Sequence, residues 1–244
     1  MNLSYTLETE RPPQLGLIVL QSDETLERDM RWLLPDHVEL LVSRVESGEE
    51  LSHDMIAGME DRLSASATLL PRGARLMAVG YGCTSASAQI GSKRVAEMIQ
   101  KGVTTPHVTD PAAALIAACK AMGIGSIGVV NPYIESISAK LCAVVEQAGI
   151  RVAAVASFNE PSEANVVRIT SKSLTDAASA VAGAKNCTAV FLSCTNLRTL
   201  GVIEELEAQL NMPVLSSNQV LAWHMLRLAG ITPPPGLPGR LWQI

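Results

Sequence analysis

Short apolar runs alternate along this chain with longer stretches in which apolar positions recur at helix-face spacing. Residues 15–20 read as a buried strand. A helix carrying Leu26, Met30 and Leu33 follows, with Ser22 or Asp23 able to cap it and Pro35 stopping it. Residues 38–43 form a second strand, followed by a polar turn around Gly48. A helix over about 52–70 presents Met55, Ile56, Met59, Leu63, Ala67 and Leu70, and Pro71-Arg72-Gly73 breaks it. The strand Leu76-Met77-Ala78-Val79-Gly80-Tyr81-Gly82 then runs into Cys83. One helix through Ile90, Val95, Met98 and Ile99 ends at Lys101-Gly102. Asp110 and Pro111 give the cap and first-turn proline of an Ala-rich helix over 112–122.

The pattern then restarts. A strand over 126–131 ends at Pro132-Tyr133, and a helix through Ile137, Leu141, Val144 and Val145 follows. A strand over 152–158, a polar loop over 159–165 and a helix over 174–184 come next. The apolar run Val190-Phe191-Leu192-Ser193 leads into Cys194, and a helical pattern follows with Leu200, Ile203, Leu206 and Leu210. A last strand over 213–218 and a helix over 219–229 precede a Pro/Gly-rich tail that resists regular structure. Alternating strands and helices, with many strands apolar throughout, predict an α/β fold with parallel sheets covered on both faces. The restart near Gly123-Ile124-Gly125 predicts two similar Rossmann-like halves, the first made of residues 1–122 plus 215–244 and the second of 123–214.

In such sheets ligands bind beyond the carboxyl ends of the strands. Asp23, Cys83, Tyr133, the 158–165 loop, Cys194 and Asn218 all fall there. Gly82-Cys83-Thr84-Ser85 and Ser193-Cys194-Thr195-Asn196 share one grammar: an apolar strand, a cysteine, small polar residues, then a helical pattern. If the halves face one another, the two cysteines meet across one cleft. A helix N-terminus behind a cysteine stabilises its thiolate and lowers its pKa. The same amides, with Thr84, Ser85, Thr195 and Asn196, can hold a carboxylate or an oxyanion. Either cysteine alone reads equally well as a buried small residue with caps behind it; the matched pair is what points to chemistry. Two opposed thiols can take a proton from a carbon beside a carboxylate and return it on the other face, or one can add to an alkene while the other moves a proton.

Composition narrows the alternatives. Aromatics at 3%, a net charge of −5 and no basic cluster argue against a nucleic-acid partner. No apolar run reaches the roughly 20 residues of a membrane span, and the polar N-terminus lacks a signal-peptide layout, so a cytoplasmic protein is expected. Of the five cysteines, Cys119, Cys142 and Cys187 read as structural, and no zinc spacing is present. Without a GxGxxG, GxxxxGK[ST] or HExxH pattern, no cofactor or metal is expected. His224 reads as a packing or capping residue, His37, His53 and His107 as solvated, Asn218 as a helix cap and Arg198 as a structural ion-pair partner.

Gly82-Cys83-Thr84-Ser85, Ser193-Cys194-Thr195-Asn196-Leu197-Arg198 and Asn131-Pro132-Tyr133 resemble the aspartate/glutamate racemase superfamily, in its branch of maleate cis-trans isomerases and arylmalonate decarboxylases. Residues 22–29, 42–45 and 218–224 look most like racemase-like proteins of ectoine-utilisation clusters. The resemblance implies a pseudo-two-fold fold, a cofactor-free site in the cleft between the halves, and a homo-dimer or higher homo-oligomer. It implies that Cys83 and Cys194 are catalytic, and that Thr84, Ser85, Tyr133 and Thr195 bind a substrate carboxylate. Arylmalonate decarboxylases keep only the second cysteine, so Cys83 tilts the expectation to a racemase or epimerase acting at the α-carbon of a small carboxylate. A maleate-type isomerase is the alternative, with a malonate decarboxylase or a non-catalytic ligand-binding protein behind it. Two departures stand out. Asp23 replaces the substrate-binding Asn of maleate isomerases, which suggests an amino acid or derivative with its ammonium at Asp23; a plain helix cap is the competing role. In the loop over 158–168, either Glu163 or Asn165 could line the site.

Overall fold

The structure, a computed structural model, describes residues 1–48 and 53–244, without side-chain detail at 53–55 and 57. The expected helix start at 52 and the side chains of His53 and Met55 lie outside the described residues. The first half runs β1 (Gln14–Leu20), α1 (Leu26–Leu33), β2 (Glu39–Val45), α2 (His53–Thr68), β3 (Leu76–Gly82), α3 (Thr84–Ile90), α4 (Ser92–Gly102), β4 (Val108–Thr109) and α5 (Pro111–Met122). The second repeats the scheme with β5 (Ser126–Asn131), α6 (Glu135–Gln147), β6 (Arg151–Ser157), α7 (Glu163–Val166), α8 (Ser171–Ala182), β7 (Ala189–Leu192), a 3-10 turn (Leu200–Val202), α9 (Ile203–Leu210) and β8 (Val214–Ser216). Then α10 (Ser217–Ala229) and a final 3-10 turn (Arg240–Gln243) close the chain.

Each half holds one four-stranded sheet, in the orders β2-β1-β3-β4 and β6-β5-β7-β8. Every pairing is parallel. The second order is the first with each strand advanced by four, so the two similar halves are present. The central strands β1, β5 and β7 are buried along their whole length, as a sheet covered on both faces requires. Helix α10 begins directly after the last strand of the second sheet yet packs on β3 and α5 of the first. Gly80 makes room for it: a Cβ there would lie 2.5 Å from the Met225 sulfur.

Several elements differ from the sequence expectation. The single helix through Ile90 and Val95 is two, because Gly91 takes φ +91°, a conformation that ends α3 and restarts the chain as α4. Strand β4 was not expected; it is two residues long and pairs with Val79 and Gly80. No helix follows Cys194 directly, since regular structure resumes only at Leu200. Among the described residues no helix is long and apolar enough to cross a membrane.

Candidate active site

The carboxyl ends of β3 and β7 bring Cys83 and Cys194 to one site between the halves. Cys83 is the N-cap of α3: the Ala86 amide donates to its Sγ at 3.4 Å, and the Ser85 hydroxyl lies 3.5 Å away. Cys194 sits in a tighter place. Its φ is +143°, a conformation side-chain-bearing residues rarely adopt. Its amide donates to the Ser217 hydroxyl (3.0 Å), which is hydrogen-bonded to the Thr84 hydroxyl (2.8 Å). The Thr195 hydroxyl donates to the Gly82 carbonyl at 3.3 Å. Thus the residue after each cysteine is tied to the other strand end, and the two thiols are close enough for the charge of Cys83 to act on Cys194.

The site is closed. Cys83 is 3% and Cys194 5% exposed, with Thr84, Ser85, Tyr133, Thr195 and Asn196 buried beside them. Burial outweighs the helix N-terminus: it pushes the Cys83 thiol up to about 11, against the smaller lowering from Ser85 and the Ala86 amide. Cys194 has no helix behind it, and burial followed by the charge of Glu163 raises it well above an ordinary thiol. The expected lowering of both thiol pKa values is therefore corrected: burial raises both.

Two carboxyl groups share the enclosure. Asp23 is 4% exposed; its Oδ1 accepts from the Thr25 (2.8 Å) and Leu26 (2.7 Å) amides at the start of α1, and its Oδ2 is buried with no hydrogen-bond partner among the described residues. The cap role of Asp23 thus rests on Oδ1. Burial raises its pKa, opposed by those amides and by Thr195. Of the two residues left open in the 158–168 loop, Glu163 turns inward and is 4% exposed, whereas Asn165 is exposed and donates to Glu160. Burial lifts Glu163 to about 7, with the Asn196 hydrogen bond opposing. The charges of Asp23 and Glu163 both act on both thiols.

Asn196 has its side chain fully engaged. Its Oδ1 accepts from the Glu24 amide (2.9 Å), and its Nδ2 donates to the Glu163 carboxylate (2.7 Å) and carbonyl (3.2 Å). Asn218 is not a helix cap; Ser216 caps α10, while Asn218 donates to Asp29 (2.7 Å) and to the Thr195 carbonyl (2.9 Å). Tyr133 is buried with its amide on Asn131 Oδ1, and its hydroxyl feels Cys194, Cys83 and Ser193. Outside the site, His224 is paired with Thr109 at 2.7 Å and burial lowers its pKa to about 4, as packing predicts. Arg198, His37 and His107 are exposed, and Cys142 is half-buried rather than buried. Sequence reading passed over Tyr81, fully buried two residues before Cys83; strand alternation is the signal that places it on the same face as the thiol.

The sequence matches the family model described as arylmalonate decarboxylase over residues 15–242. The chain belongs to that family. The resemblance read from the Cys83 and Cys194 motifs is therefore borne out. A family relative, the arylmalonate decarboxylase of Bordetella bronchiseptica, is 23% identical over 219 residues, covering 89% of this chain and 91% of that protein. The maleate isomerase of Nocardia farcinica (strain IFM 10152) is 24% identical over 236 residues, covering 93% of each. A solved structure of Nocardia farcinica maleate cis-trans isomerase, a cysteine-to-serine mutant with a covalently bound succinylcysteine intermediate, shares the fold with a TM-score of 0.84 at 21% identity. It covers 94% of this chain and 98% of its own.

Proposed function

We propose that this family member is a cofactor-independent isomerase of small carboxylates that works with Cys83 and Cys194 as a pair. One observation carries the reading: two cysteines at equivalent strand ends of two similar halves are bridged into one closed site. The first reading of the reaction is cis-trans isomerisation of a maleate-like alkene, supported by the maleate isomerases among the relatives. One thiol passes its proton to a substrate carboxylate and, as thiolate, forms an S–C bond at an alkene carbon. The alkene electron pair moves to the neighbouring carbon and takes the proton of the second thiol there, leaving a saturated adduct on one sulfur and a thiolate on the other. The former double bond is now single and rotates. The second thiolate takes that proton back as the S–C bond breaks, which restores the double bond in trans geometry, and the released thiolate regains its proton from the carboxylate that held it.

Thr84, Ser85, Tyr133 and Thr195 are proposed to hold the carboxylates. Asp23 and Glu163 fit this reading in their protonated forms, in which each donates a hydrogen bond, and the raised pKa of each favours that form. The same two groups favour a second reading. Ionised, they attract an ammonium, which suits racemisation or epimerisation at the α-carbon of an amino acid or derivative, one thiol removing the proton and the other returning it.

Proton NMR in deuterium oxide separates the readings. Fumarate formed from maleate is the expected outcome of the first. Deuterium entering the α-position of an amino acid, with no fumarate from maleate, establishes the second. Carbon dioxide released from an arylmalonate, with neither signal, would overturn both in favour of decarboxylation.

A further inference from the structure

We propose that Tyr81 is a positioning residue for Cys83, its hydroxyl serving as the donor that receives the negative charge of the sulfur when the thiol gives up its proton. Tyr81 and Cys83 stand two residues apart on one extended segment, since Cys83 continues β3 with φ −152° and ψ 113°. Alternate residues of a strand share a face, so the phenol and the thiol point the same way. Tyr81 is wholly buried, and among the described residues its hydroxyl donates to the Met59 sulfur at 3.8 Å, with the Cys83 sulfur as its other side-chain neighbour. A thioether is a weak acceptor, and a buried hydroxyl so poorly satisfied gains from a better one.

Cys83 presents the complementary need. Its sulfur must carry charge in a place where burial opposes charge, with the Ala86 amide and the Ser85 hydroxyl as its neighbours at 3.4 and 3.5 Å. Asp23, Glu163 and Cys194 also act on this site and would each oppose a thiolate when charged. Tyr81 itself is surrounded by groups that keep it protonated: burial first, then Cys83 and Asp110. The proton therefore stays on the phenol oxygen throughout; the hydroxyl turns from Met59 to the thiolate and back as Cys83 loses and regains its own proton. Tyr81 belongs to β3 of the first sheet, the strand that Cys83 continues.

The inference rests on Cys83 being a working thiol, but its test reads thiol acidity without turnover and so stands apart from the isomerase reading. Alkylation of Cys83 by iodoacetamide, followed by peptide mass spectrometry, is measured at several pH values between about 7 and 10. Tyr81→Phe removes one oxygen and keeps the packing. It is expected to slow Cys83 alkylation about tenfold at each pH, equivalent to a one-unit rise in pKa, while Cys142 and Cys187 react as before. Met59→Leu removes the competing acceptor and is expected to speed Cys83 alkylation. An unchanged Cys83 profile in folded Tyr81→Phe protein overturns the proposal. Should that variant not fold, a Met59→Leu profile that fails to accelerate overturns it instead.

Discussion

At the residue scale, Cys194 is the position where geometry and chemistry conflict most openly. A non-glycine residue at φ +143° costs of order 1–3 kcal/mol, and such strain persists only where the surroundings over-determine it. The surroundings are on hand: the Ser217 hydroxyl holds its amide, and Asn218 holds the carbonyl of the next residue. Glycine adopts this φ without penalty. Cys194→Gly is therefore expected to melt higher than Cys194→Ala, by about 1 kcal/mol in unfolding free energy, although glycine buries less. Thermal denaturation of the two variants checks this; an alanine variant at least as stable as the glycine one would show that the backbone is unstrained. The motif around Cys194 was legible in the sequence. Its backbone was not, because no local pattern announces a positive φ at a cysteine. The thiol acidities were also misjudged: a helix N-terminus offers a fraction of a charge at the surface, whereas enclosure withdraws water from every side.

At the element scale, the alternation of apolar runs and helical faces was enough to find both sheets and most helices, because a parallel sheet buried on both faces writes itself as apolar strands. What escaped were features with too few residues for a period. Strand β4 is two residues long, α7 is four, and the division of α3 from α4 turns on Gly91 alone. Glu163 lies in that short helix, which is why spacing left it level with Asn165. Close packing of helix on strand depends on particular glycines. A Cβ at Gly128 of β5 would lie 2.8 Å from Val181 Cγ2 and 3.2 Å from the Val181 carbonyl on α8. Gly128→Ala is expected to destabilise the protein by about 1–3 kcal/mol through overpacking. Gly73→Ala, where nothing lies within 4 Å, is expected to leave stability within about 0.5 kcal/mol. Denaturant titration of the two variants tests the contrast, and equal stabilities would contradict it.

At the scale of the whole molecule, the repeated sheet order sets two strand ends toward each other, and polar side chains join them. Thr84 reaches Ser217, which holds the Cys194 amide; Asn196 spans from Glu24 to Glu163; Asn218 links Asp29 to the Thr195 carbonyl. These bridges connect residues more than a hundred positions apart in several cases, beyond the reach of any sequence period, so Asn196 and Asn218 read as site or cap residues until the halves were seen together. The proposed function stands or falls with the two thiols forming one working pair. Its most direct test is proton NMR of maleate and a set of α-amino acids in deuterium oxide with the wild type, Cys83→Ala and Cys194→Ala. The wild type is expected to turn over one of these substrates, and each variant to lose at least about a thousandfold of that rate. Near wild-type turnover by either single variant, or no reaction of the wild type with any of them, would contradict it.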